Sequence, residues 1–508
     1  MDIFLGLELG STRIKAVAID QTHSLASSGS YTWKSNLENG LWTYSLEEAW
    51  VGIKNAISAI EDRQAVAGIG VSAMMHGYLV FDSQWQLLTP FRTWQNTVTG
   101  EAAEKLTELF QFNIPQRWSV AHLYQAILNR EEHVSRIAHI TTLAGYVHYM
   151  LTGEHAVGVG EASGMFPIDP NTGDYDADML TAFDTLTRQT SMPWKVGELL
   201  PRVLKAGENA GFLTEKGEKL LDGLLSVGIP FAPAEGDAGT GMVATNAIAA
   251  RSGNISAGTS IFSMVVLEKP LAKHYSEIDI VTTPEGKPVA MVHCNNCTND
   301  LNAWINVLEE TAVLFGACPK KGELFEKLYR KSLEGDHDAG GLVVYNYISG
   351  ESVTHFDEGR PMVIRCPESE FTLANFLRAQ LYSTMATLRI GMDILSGENV
   401  AIDRLMGHGG LFKTPGVAQV YMAAACRVPI TCMETAGEGG PYGMAVLAAY
   451  SVQRAQNETL DDYLQNRVFV SSSSVTLTPD EEIVEGFERY LTLFKNALVV
   501  EQAAINNI

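Results

Sequence analysis

Near its N-terminus the chain reads Phe4-Leu5-Gly6-Leu7-Glu8-Leu9-Gly10-Ser11-Thr12-Arg13-Ile14-Lys15-Ala16-Val17-Ala18-Ile19. Two apolar runs of strand length flank a glycine that is followed by two hydroxyl residues, and this pattern predicts a β-hairpin. Backbone N–H groups in the predicted turn, Gly10-Ser11-Thr12, can converge on a phosphate, because small residues let the anion approach. Arg13 and Lys15 add positive charge beside the turn. The stretch therefore predicts a hairpin that binds phosphate.

A second stretch reads Gly253-Asn254-Ile255-Ser256-Ala257-Gly258-Thr259-Ser260-Ile261-Phe262-Ser263-Met264-Val265-Val266. Its order of features is the same, so it predicts a second hairpin with the turn Gly258-Thr259-Ser260. Similar modules in the two halves indicate two domains of like architecture that face each other, with a nucleotide clamped between the turns. Such turns are common between strands, so the repeat alone is equally compatible with chance.

Length and composition agree with two globular domains and exclude several classes of function. A chain of 508 residues is too long for one hydrophobic core, and we place the domain boundary near residue 245, giving domains 1–245 and 246–508. The formal net charge of −23 disfavours nucleic acid and anionic membranes as partners. It does not exclude ATP, which backbone amides and a metal ion can hold.

The N-terminus and the cysteines indicate a cytoplasmic enzyme. The first residues lack the basic flank and apolar core of a signal peptide, and no apolar stretch approaches the roughly 20 residues that span a bilayer. The six cysteines are scattered along the chain, as is typical of reduced thiols. Cys294 and Cys297 have the spacing of half a zinc site, but no partner pair follows, which favours buried thiols.

One aspartate stands out as a candidate general base. Asp237 lies in Ala234-Glu235-Gly236-Asp237-Ala238-Gly239-Thr240-Gly241, among residues small enough to let a ligand reach its carboxylate. Phosphoryl transfer from ATP needs a carboxylate that orients the attacking hydroxyl and accepts its proton. The alternative is an Asx-turn or a helix cap at a glycine-rich bend, which is at least as frequent for an isolated aspartate.

A third glycine-rich segment reads Gly407-His408-Gly409-Gly410-Leu411-Phe412-Lys413. It follows an apolar run and precedes a predicted helix, an arrangement that places bare backbone and a helix N-terminus against a ligand. The segment is neither a Walker A loop nor a dinucleotide fingerprint. A tight turn between a strand and a helix is the simpler alternative.

Two segments have the residue types of a sugar site. Met75 and His76 follow a predicted strand at residues 66–72, although a lone histidine there is more often structural. Trp94 and Asn96 combine an aromatic ring, which packs on the apolar face of a sugar, with an amide that bonds to hydroxyls. A partly buried loop can contain the same residues.

Helices are predicted at four further places. An amphipathic helix spans residues 101–110, and a helix capped by Thr414 with Pro415 as its first residue runs to Cys426. Another Pro-led helix begins near Pro441, and one long helix spans residues 480–505.

Together these motifs resemble the FGGY family of carbohydrate kinases in order and spacing over nearly the whole chain. The first hairpin resembles the family's first phosphate motif, and residues 71–77 resemble the xylulokinase stretch that ends in Met-His-Gly. Further landmarks are the segments at residues 93–96, 146–153, 161–163, 237, 258–260, 409–413 and 437–445.

The resemblance implies an α/β fold of two actin-like, ribonuclease-H-like domains with a central cleft that holds ATP and the sugar. It implies that Asp237 is the catalytic base, and that Met75, His76, Trp94, Asn96 and Asp237 bind sugar. It also implies Mg²⁺ held largely through water by Glu8 and Asp237. The phosphates and the adenosine would then contact Gly10, Ser11, Thr12, Arg13, Lys15, Gly258, Thr259, Ser260, Gly409, Gly410 and Lys413.

Three departures from the family pattern bear on the substrate. Glu8 replaces the usual Asp, which moves the carboxylate by about an ångström. Asn96 stands where the sugar site often has Asp, and residues 122–125 replace the usual Lys-x-x-Trp. The Met-His-Gly motif indicates D-xylulose, whereas the departures leave L-ribulose nearly as well supported.

Two other functions stay open at this point. An actin- or chaperone-like ATPase would use the same nucleotide motifs, but it would not need a polar pocket beside the γ-phosphate, such as the sugar-side segments at Met75-His76, Trp94 and Asn299 to Trp304 indicate. A catalytically weak sugar-binding regulator would explain Glu8 and Asn96. A homodimer is the commonest assembly for such a chain.

Overall fold

The computed structural model describes residues 2–190, 192–433, 439–470 and 472–508, which form two compact units. The units are interleaved in the sequence. The first comprises Met1–Ala249, Ile280–Val289 and Thr435–Ser472, and the second comprises Ala250–Asp279, Ala290–Glu434 and Ser473–Ile508. Two segments from the second half of the chain thus complete the first unit. Within the described part of the chain, no helix is both long and apolar enough to cross a membrane.

The first unit is built on a five-stranded sheet that begins with the predicted hairpin. Ile3–Leu9 pairs antiparallel with Arg13–Ile19, which confirms the hairpin. Val66–Ala73 lies parallel to Ile3–Leu9 and confirms the predicted strand at residues 66–72. The strand order is Glu235–Gly236, Val66–Ala73, Ile3–Leu9, Arg13–Ile19, Leu25–Thr32.

Helices and short strand pairs surround this sheet. The helices are Leu46–Ser58, Gly100–Phe110, Ser119–Leu128, Leu143–Thr152, Val159–Ala162, Ala177–Thr187, Val196–Leu199, Glu215–Leu220, Asp237–Ala244, Gly440–Gln453 and Leu460–Tyr463. The short pairs are Asn36–Glu38 with Leu41–Thr43, Leu79–Phe81 with His139–Thr141, Ala156–Gly158 with Arg202–Leu204, and Ile168–Asp169 with Asp174–Tyr175. The strands Ile3–Leu9 and Val66–Ala73 are buried almost throughout, because helices cover the sheet.

The second unit repeats the same core around the second hairpin. Ser252–Ala257 pairs antiparallel with Ile261–Val266, as predicted, and parallel with Arg404–His408. The sheet that contains this hairpin has the strand order Ile278–Thr282, Pro288–Cys294, Ile261–Val266, Ser252–Ala257, Arg404–His408, Ile430–Met433, Ser474–Leu477. The helices are Thr298–Leu314, Lys321–Ser332, Leu373–Gly397, Val417–Cys426, Glu481–Asn496 and Leu498–Asn507, and a short pair joins Val343–Tyr345 to Met362–Ile364.

Two predicted helices are correct and two have wrong bounds. Gly100–Phe110 and Gly440–Gln453, which has proline in its first turn, form as expected. The helix expected from Thr414 begins instead at Val417, because Gly416 takes the left-handed conformation (φ 81°) and redirects the chain first. Gly416, and not Thr414, is therefore the N-cap of this helix.

The predicted long helix at residues 480–505 is two helices, Glu481–Asn496 and Leu498–Asn507, which meet at Ala497. The first buries the apolar stripe that the sequence showed, including Phe487 and Phe494. The second carries the buried Glu501, whose Oε1 accepts a hydrogen bond from the backbone N–H of Arg360 at 2.7 Å. The apolar stripe gives no signal of this bend, and the contact between Glu501 and Arg360 beyond it joins residues 141 positions apart.

Candidate active site

Two carboxylates collect at one edge of the sheet in the first unit. Ile3–Leu9, Val66–Ala73 and Glu235–Gly236 run parallel, so their carboxyl ends meet at the same edge, where ligands of α/β sheets usually bind. Glu8 lies near the end of the first of these strands. Asp237 directly follows the last and opens the helix Asp237–Ala244. The topology thus brings together residues that lie more than two hundred positions apart in the sequence.

Both carboxyl groups are harder to ionise than usual. The surrounding protein partly desolvates the carboxyl group of Asp237 and raises its pKa to about 6. The residue nevertheless keeps exposure to solvent. Desolvation and then the negative charge of Asp237 raise the pKa of Glu8 to about 7, against a smaller opposing effect of Lys15. Lys15 is the cross-strand partner of Glu8 in the hairpin. The two acids therefore form an electrostatically linked pair.

The backbone holds the Asp237 carboxylate in place. The N–H of Met75 donates to Oδ1 of Asp237 at 3.3 Å, which ties the aspartate to the segment that follows Val66–Ala73. Backbone hydrogen bonds from Met75 and then Ala238 lower the pKa of Asp237 against the larger effect of desolvation. The alternative of a helix cap does not describe this residue, because Gly236 is the N-cap and Asp237 is the first helical residue.

Aromatic side chains support the turn Gly10-Ser11-Thr12, the first predicted phosphate site, from its carbonyl side. Nε1 of Trp33 donates to the carbonyl of Gly10 at 2.7 Å, and the hydroxyl of Tyr44 donates to the carbonyl of Ser11 at 2.8 Å. Nε1 of Trp94 reaches Oγ of Ser11 at 3.3 Å. These bonds fix the turn while using its carbonyls and one hydroxyl. Nothing local in the sequence marked Trp33 or Tyr44 as supports.

The remaining residues of this turn differ in exposure. Thr12 and Arg13 are exposed, and Lys15 is half-buried opposite Glu8. Lys15 therefore neutralises part of the charge of the carboxylate pair. Its predicted contact with the nucleotide stays a prediction, as does that of Arg13.

Met75 and His76 lie beside Asp237 in a tightly packed wall. His76 has a left-handed backbone (φ 70°) and is buried, with Nδ1 3.2 Å from the carbonyl oxygen of Gly164 and its ring stacked on Trp118 at 6.3 Å. A Cβ on Gly164 would come within 2.6 Å of Nδ1 of His76 and 3.0 Å of Cε of Met75. Gly164 and Trp118 therefore shape this wall, and no sequence motif marks either residue.

Trp94 and Asn96 have different surroundings, although they are two positions apart. Trp94 is 38% exposed, as a ring that packs on a sugar would be. Asn96 is 2% exposed, and its amide pairs with the backbone of Trp42, accepting from the N–H and donating to the carbonyl, both at 2.8 Å. Its Nδ2 also donates to the carbonyl of Thr93 at 3.0 Å. The amide of Asn96 is thus occupied by protein, and its predicted contact with sugar stays a prediction without support from these bonds.

Two further acids lie buried behind Asp237. Oε2 of Glu235 accepts from the backbone N–H of Glu161 at 3.0 Å, and the glycines at 158 and 160 leave room for its carboxyl group. Burial raises the pKa of Glu235 to about 8 and raises the pKa of Glu161 well above its usual value. Both groups are sealed from solvent, so we assign them to the support of the site. Glu161 was recognised in the sequence only as a landmark.

In the second unit the remaining predicted residues are also neighbours. The carbonyl of Gly258 accepts from the hydroxyl of Thr298 at 2.7 Å, and the carbonyl of Thr259 accepts from the N–H of Cys297 at 3.0 Å. The start of Thr298–Leu314 thereby fixes the second turn, and the thiols of Cys294 and Cys297 are buried beneath it. Gly409 (φ 100°) packs against the backbone of Ala257. A Cβ placed on Gly409 would lie 2.5 Å from the carbonyl oxygen of Ala257.

The two glycine segments of the second unit thus lie side by side. Ser256 pairs with His408 in the sheet, so the turn Gly258-Thr259-Ser260 and the glycines Gly409 and Gly410 extend from adjacent strands. Thr259, Gly409, Gly410 and Lys413 are exposed. Of the segment at 437–445, Gly437 and Glu438 lie outside the described residues.

The carboxylate pair of the first unit offers oxygen ligands of the kind that Mg²⁺ accepts. Magnesium prefers oxygen ligands and is commonly held by one or two carboxylates together with water and substrate phosphates. Glu8 and Asp237 supply such oxygens, and their mutual repulsion would be relieved by a cation. Among the described residues, no three histidine, cysteine or acidic side chains cluster closely enough to hold a metal by themselves.

Comparisons with known proteins find sugar kinases that match nearly the whole chain. The xylulose kinase of Haemophilus influenzae is 21% identical over 96% of this chain and 99% of that protein. The crystal structure of a ligand-bound xylulose kinase from Lactobacillus acidophilus covers 98% of this chain and 99% of its own, with a TM-score of 0.80 and 15% identity. The crystal structure of a gluconate kinase from the same organism has a TM-score of 0.79 and 15% identity, and the match covers 97% of each chain.

Family models identify both halves of the chain. Residues 3–244 match the N-terminal domain of the FGGY family of carbohydrate kinases, and residues 253–452 match its C-terminal domain. The two sheets, each opening with a hairpin, are the actin-like, ribonuclease-H-like domains of such kinases. The chain belongs to the FGGY family of carbohydrate kinases, enzymes that transfer a phosphoryl group from ATP to a small sugar.

Proposed function

We propose that this kinase phosphorylates a ketopentose at its terminal hydroxyl, with Asp237 as the general base. One observation carries the proposal: the Asp237 carboxylate keeps solvent access, is held by the N–H of Met75, and has a pKa of about 6. A base works best when its pKa lies close to the working pH. At neutral pH this carboxylate is ionised, yet basic enough to accept the proton of an attacking hydroxyl.

The first turn is suited to the phosphates of ATP. Trp33 and Tyr44 bind the carbonyls of Gly10 and Ser11, so the turn is rigid before any ligand arrives. A preorganised set of donors costs little reorganisation when negative charge spreads over the transferring group. We propose two domains, residues 1–245 and 246–508. In the second, the residues proposed to contact the phosphates and adenosine are Gly258-Thr259-Ser260, Gly409, Gly410 and Lys413.

Mg²⁺ is the proposed metal, with Glu8 and Asp237 as its protein ligands through water. When bound, it would neutralise charge on the phosphates. Desolvation and the negative charge of Asp237 raise the pKa of Glu8. A nearby cation would favour the ionised form of Glu8.

The proposed sugar is D-xylulose, with L-ribulose as the second candidate. Full-length relatives are named xylulose kinases, and Met75 and His76 lie beside Asp237 as a wall for the substrate. Trp94 offers an exposed ring for the apolar face of the sugar. The fold does not select the sugar, because a gluconate kinase has nearly the same TM-score as the xylulose kinases.

We further propose that the enzyme works in the cytoplasm as a homodimer. ATP is the co-substrate, and none of the six cysteines is joined in a disulfide among the described residues, as is typical of reducing compartments. The homodimer rests only on the frequency of twofold assemblies.

A coupled ADP-release assay over a panel of sugars tests the proposal. The panel contains ketopentoses, ketohexoses, polyols and gluconate, each at the same concentration with ATP and Mg²⁺. We expect ADP release to depend on added sugar and to be fastest with D-xylulose or L-ribulose. ADP release without sugar would instead favour an actin-like ATPase, and sugar binding without ADP would favour a regulator.

A further inference from the structure

Gly440, the first residue of the helix Gly440–Gln453, lies directly against Glu8. A Cβ placed on Gly440 would overlap Oε2 of Glu8 and would stand 3.0 Å from both Cδ of Glu8 and Oγ1 of Thr240. The Glu8 carboxylate therefore occupies the space that any side chain at position 440 would need. The two residues are separated by more than four hundred positions but belong to the same unit.

The backbone at position 440 does not itself require glycine. Gly439, the N-cap, has φ 61°, a conformation that favours glycine, whereas Gly440 has no positive φ and begins the helix. Alanine could adopt the same backbone and would favour the helix. The absence of a side chain at 440 is thus explained by Glu8 and not by the course of the chain.

The helix Gly440–Gln453 cannot shift to make room. A Cβ on Gly6 would meet the backbone of this helix, 2.5 Å from the nitrogen of Ala445, so strand and helix backbones are in contact. Gly443 packs in the same way on the helix Asp237–Ala244, because a Cβ placed on it would lie 3.1 Å from the backbone nitrogen of Ala244. Close-packed backbones resist displacement, whereas a glutamate side chain can change its rotamer at a smaller cost. An added methyl group at 440 would therefore move the carboxylate of Glu8.

We propose that Gly440 is a positioning residue that determines where the Glu8 carboxylate stands, so that Glu8 and Gly440 function as one matched pair. The proposal rests on the proposed function, in which Glu8 serves phosphoryl transfer. The resemblance to the family makes the pairing specific, because the usual residue at position 8 is Asp, shorter by one methylene. A glutamate reaches further, and the bare Gly440 gives its carboxylate the space.

A double-mutant cycle tests the pair through turnover. The proteins are the wild type, Gly440→Ala, Glu8→Asp and the double variant. We expect Gly440→Ala to lower kcat at least tenfold with the KM for sugar unchanged within threefold, and the double variant to recover kcat at least fivefold over Gly440→Ala. Gly100→Ala is the matched control, since Gly100 also begins a helix and its Cβ would find nothing closer than 3.7 Å. It should retain wild-type kcat.

Thermal unfolding of the ligand-free proteins gives a readout that is independent of activity. We expect Gly440→Ala to lower the unfolding midpoint by several degrees, the double variant to recover at least half of that loss, and Gly100→Ala to leave it unchanged. If Gly440→Ala does not fold, a folded double variant supports the pair and an unfolded one overturns it.

The proposal would be overturned if the double variant recovered neither kcat nor the unfolding midpoint relative to Gly440→Ala. If the wild type shows no sugar-dependent turnover, the proposed function fails by itself, and the midpoints of the four proteins still decide whether Glu8 and Gly440 are matched.

Discussion

Replacing Asp237 by asparagine isolates its role as a base from its role in the structure. Asparagine has nearly the same shape, and its Oδ1 can still accept the hydrogen bond that Met75 donates at 3.3 Å. What is lost is the ability to take a proton, together with the negative charge that would face the proposed Mg²⁺. General-base catalysis contributes about 10²–10⁴-fold to a rate. Asp237→Asn should therefore lower kcat by about 10²–10⁴-fold, equal to about 3–5 kcal/mol of transition-state stabilisation.

Stability should move in the opposite direction to activity. The pKa of Asp237 is raised from 3.8 to about 6, so ionisation of this group weakens the folded state progressively as pH rises through that range. Asparagine carries no charge, so above pH 6 the variant should unfold at the same temperature as the wild type or higher. At pH 3.8 and below the two proteins should differ little. Loss of turnover with undiminished stability would exclude misfolding as the cause.

The assay follows ADP release at pH 7.5 with saturating ATP and a series of sugar concentrations. The KM for ATP should stay within threefold of the wild type, because the turn Gly10-Ser11-Thr12, which is proposed to bind the phosphates, is untouched. Asp178→Asn is the matched control, since Asp178 is an exposed aspartate in the first turn of another helix of the same unit. It should retain full kcat. Turnover of Asp237→Asn within tenfold of the wild type would refute the assignment of the base.

Three other predictions follow from the same unit. Activity should fall as pH drops below about 6, because Asp237 then becomes protonated, and a pH profile of kcat/KM for sugar checks this; a flat profile from pH 5 to 8 would contradict it. Asn96→Asp should destabilise the fold by about 1–3 kcal/mol, measured by urea unfolding, because a carboxylate cannot donate to the carbonyl of Trp42; unchanged stability with a raised KM for sugar would restore Asn96 as a sugar ligand. Trp33→Phe removes the bond to Gly10 and should raise the KM for ATP by about threefold to tenfold, equal to about 1 kcal/mol, while the KM for sugar stays constant; an unchanged KM for ATP would show that the turn needs no such support.

The features that could be predicted from the sequence are those coded by neighbouring residues. Each hairpin is visible because apolar runs flank a Gly-hydroxyl-hydroxyl step, and each forms as an antiparallel pair. The helix at Gly440–Gln453 was predicted because proline lies in its first turn. The candidate base was predicted because small residues surround Asp237. All of these signals lie within about ten residues of the feature.

The features that could not be predicted depend on contacts between distant residues. Asn96 has the composition of a sugar ligand, but the backbone of Trp42, 54 positions away, occupies its amide. The segments Ile280–Val289 and Thr435–Ser472 join the first unit although they follow the second hairpin. In the sequence, Glu8 is only a departure from the family pattern. The three-dimensional fold shows that the absence of a side chain at Gly440 leaves room for it. Spacing along the chain carries no information about such contacts.

The most direct test of the account is to identify the product by mass spectrometry and phosphorus NMR. The enzyme is incubated with ATP, Mg²⁺ and D-xylulose or L-ribulose, in parallel with Asp237→Asn. We expect one sugar phosphate, esterified at the terminal hydroxyl, for each ADP formed by the wild type, and almost none from the variant. ADP that accumulates with inorganic phosphate and no sugar phosphate, or equal product from both proteins, would contradict the account.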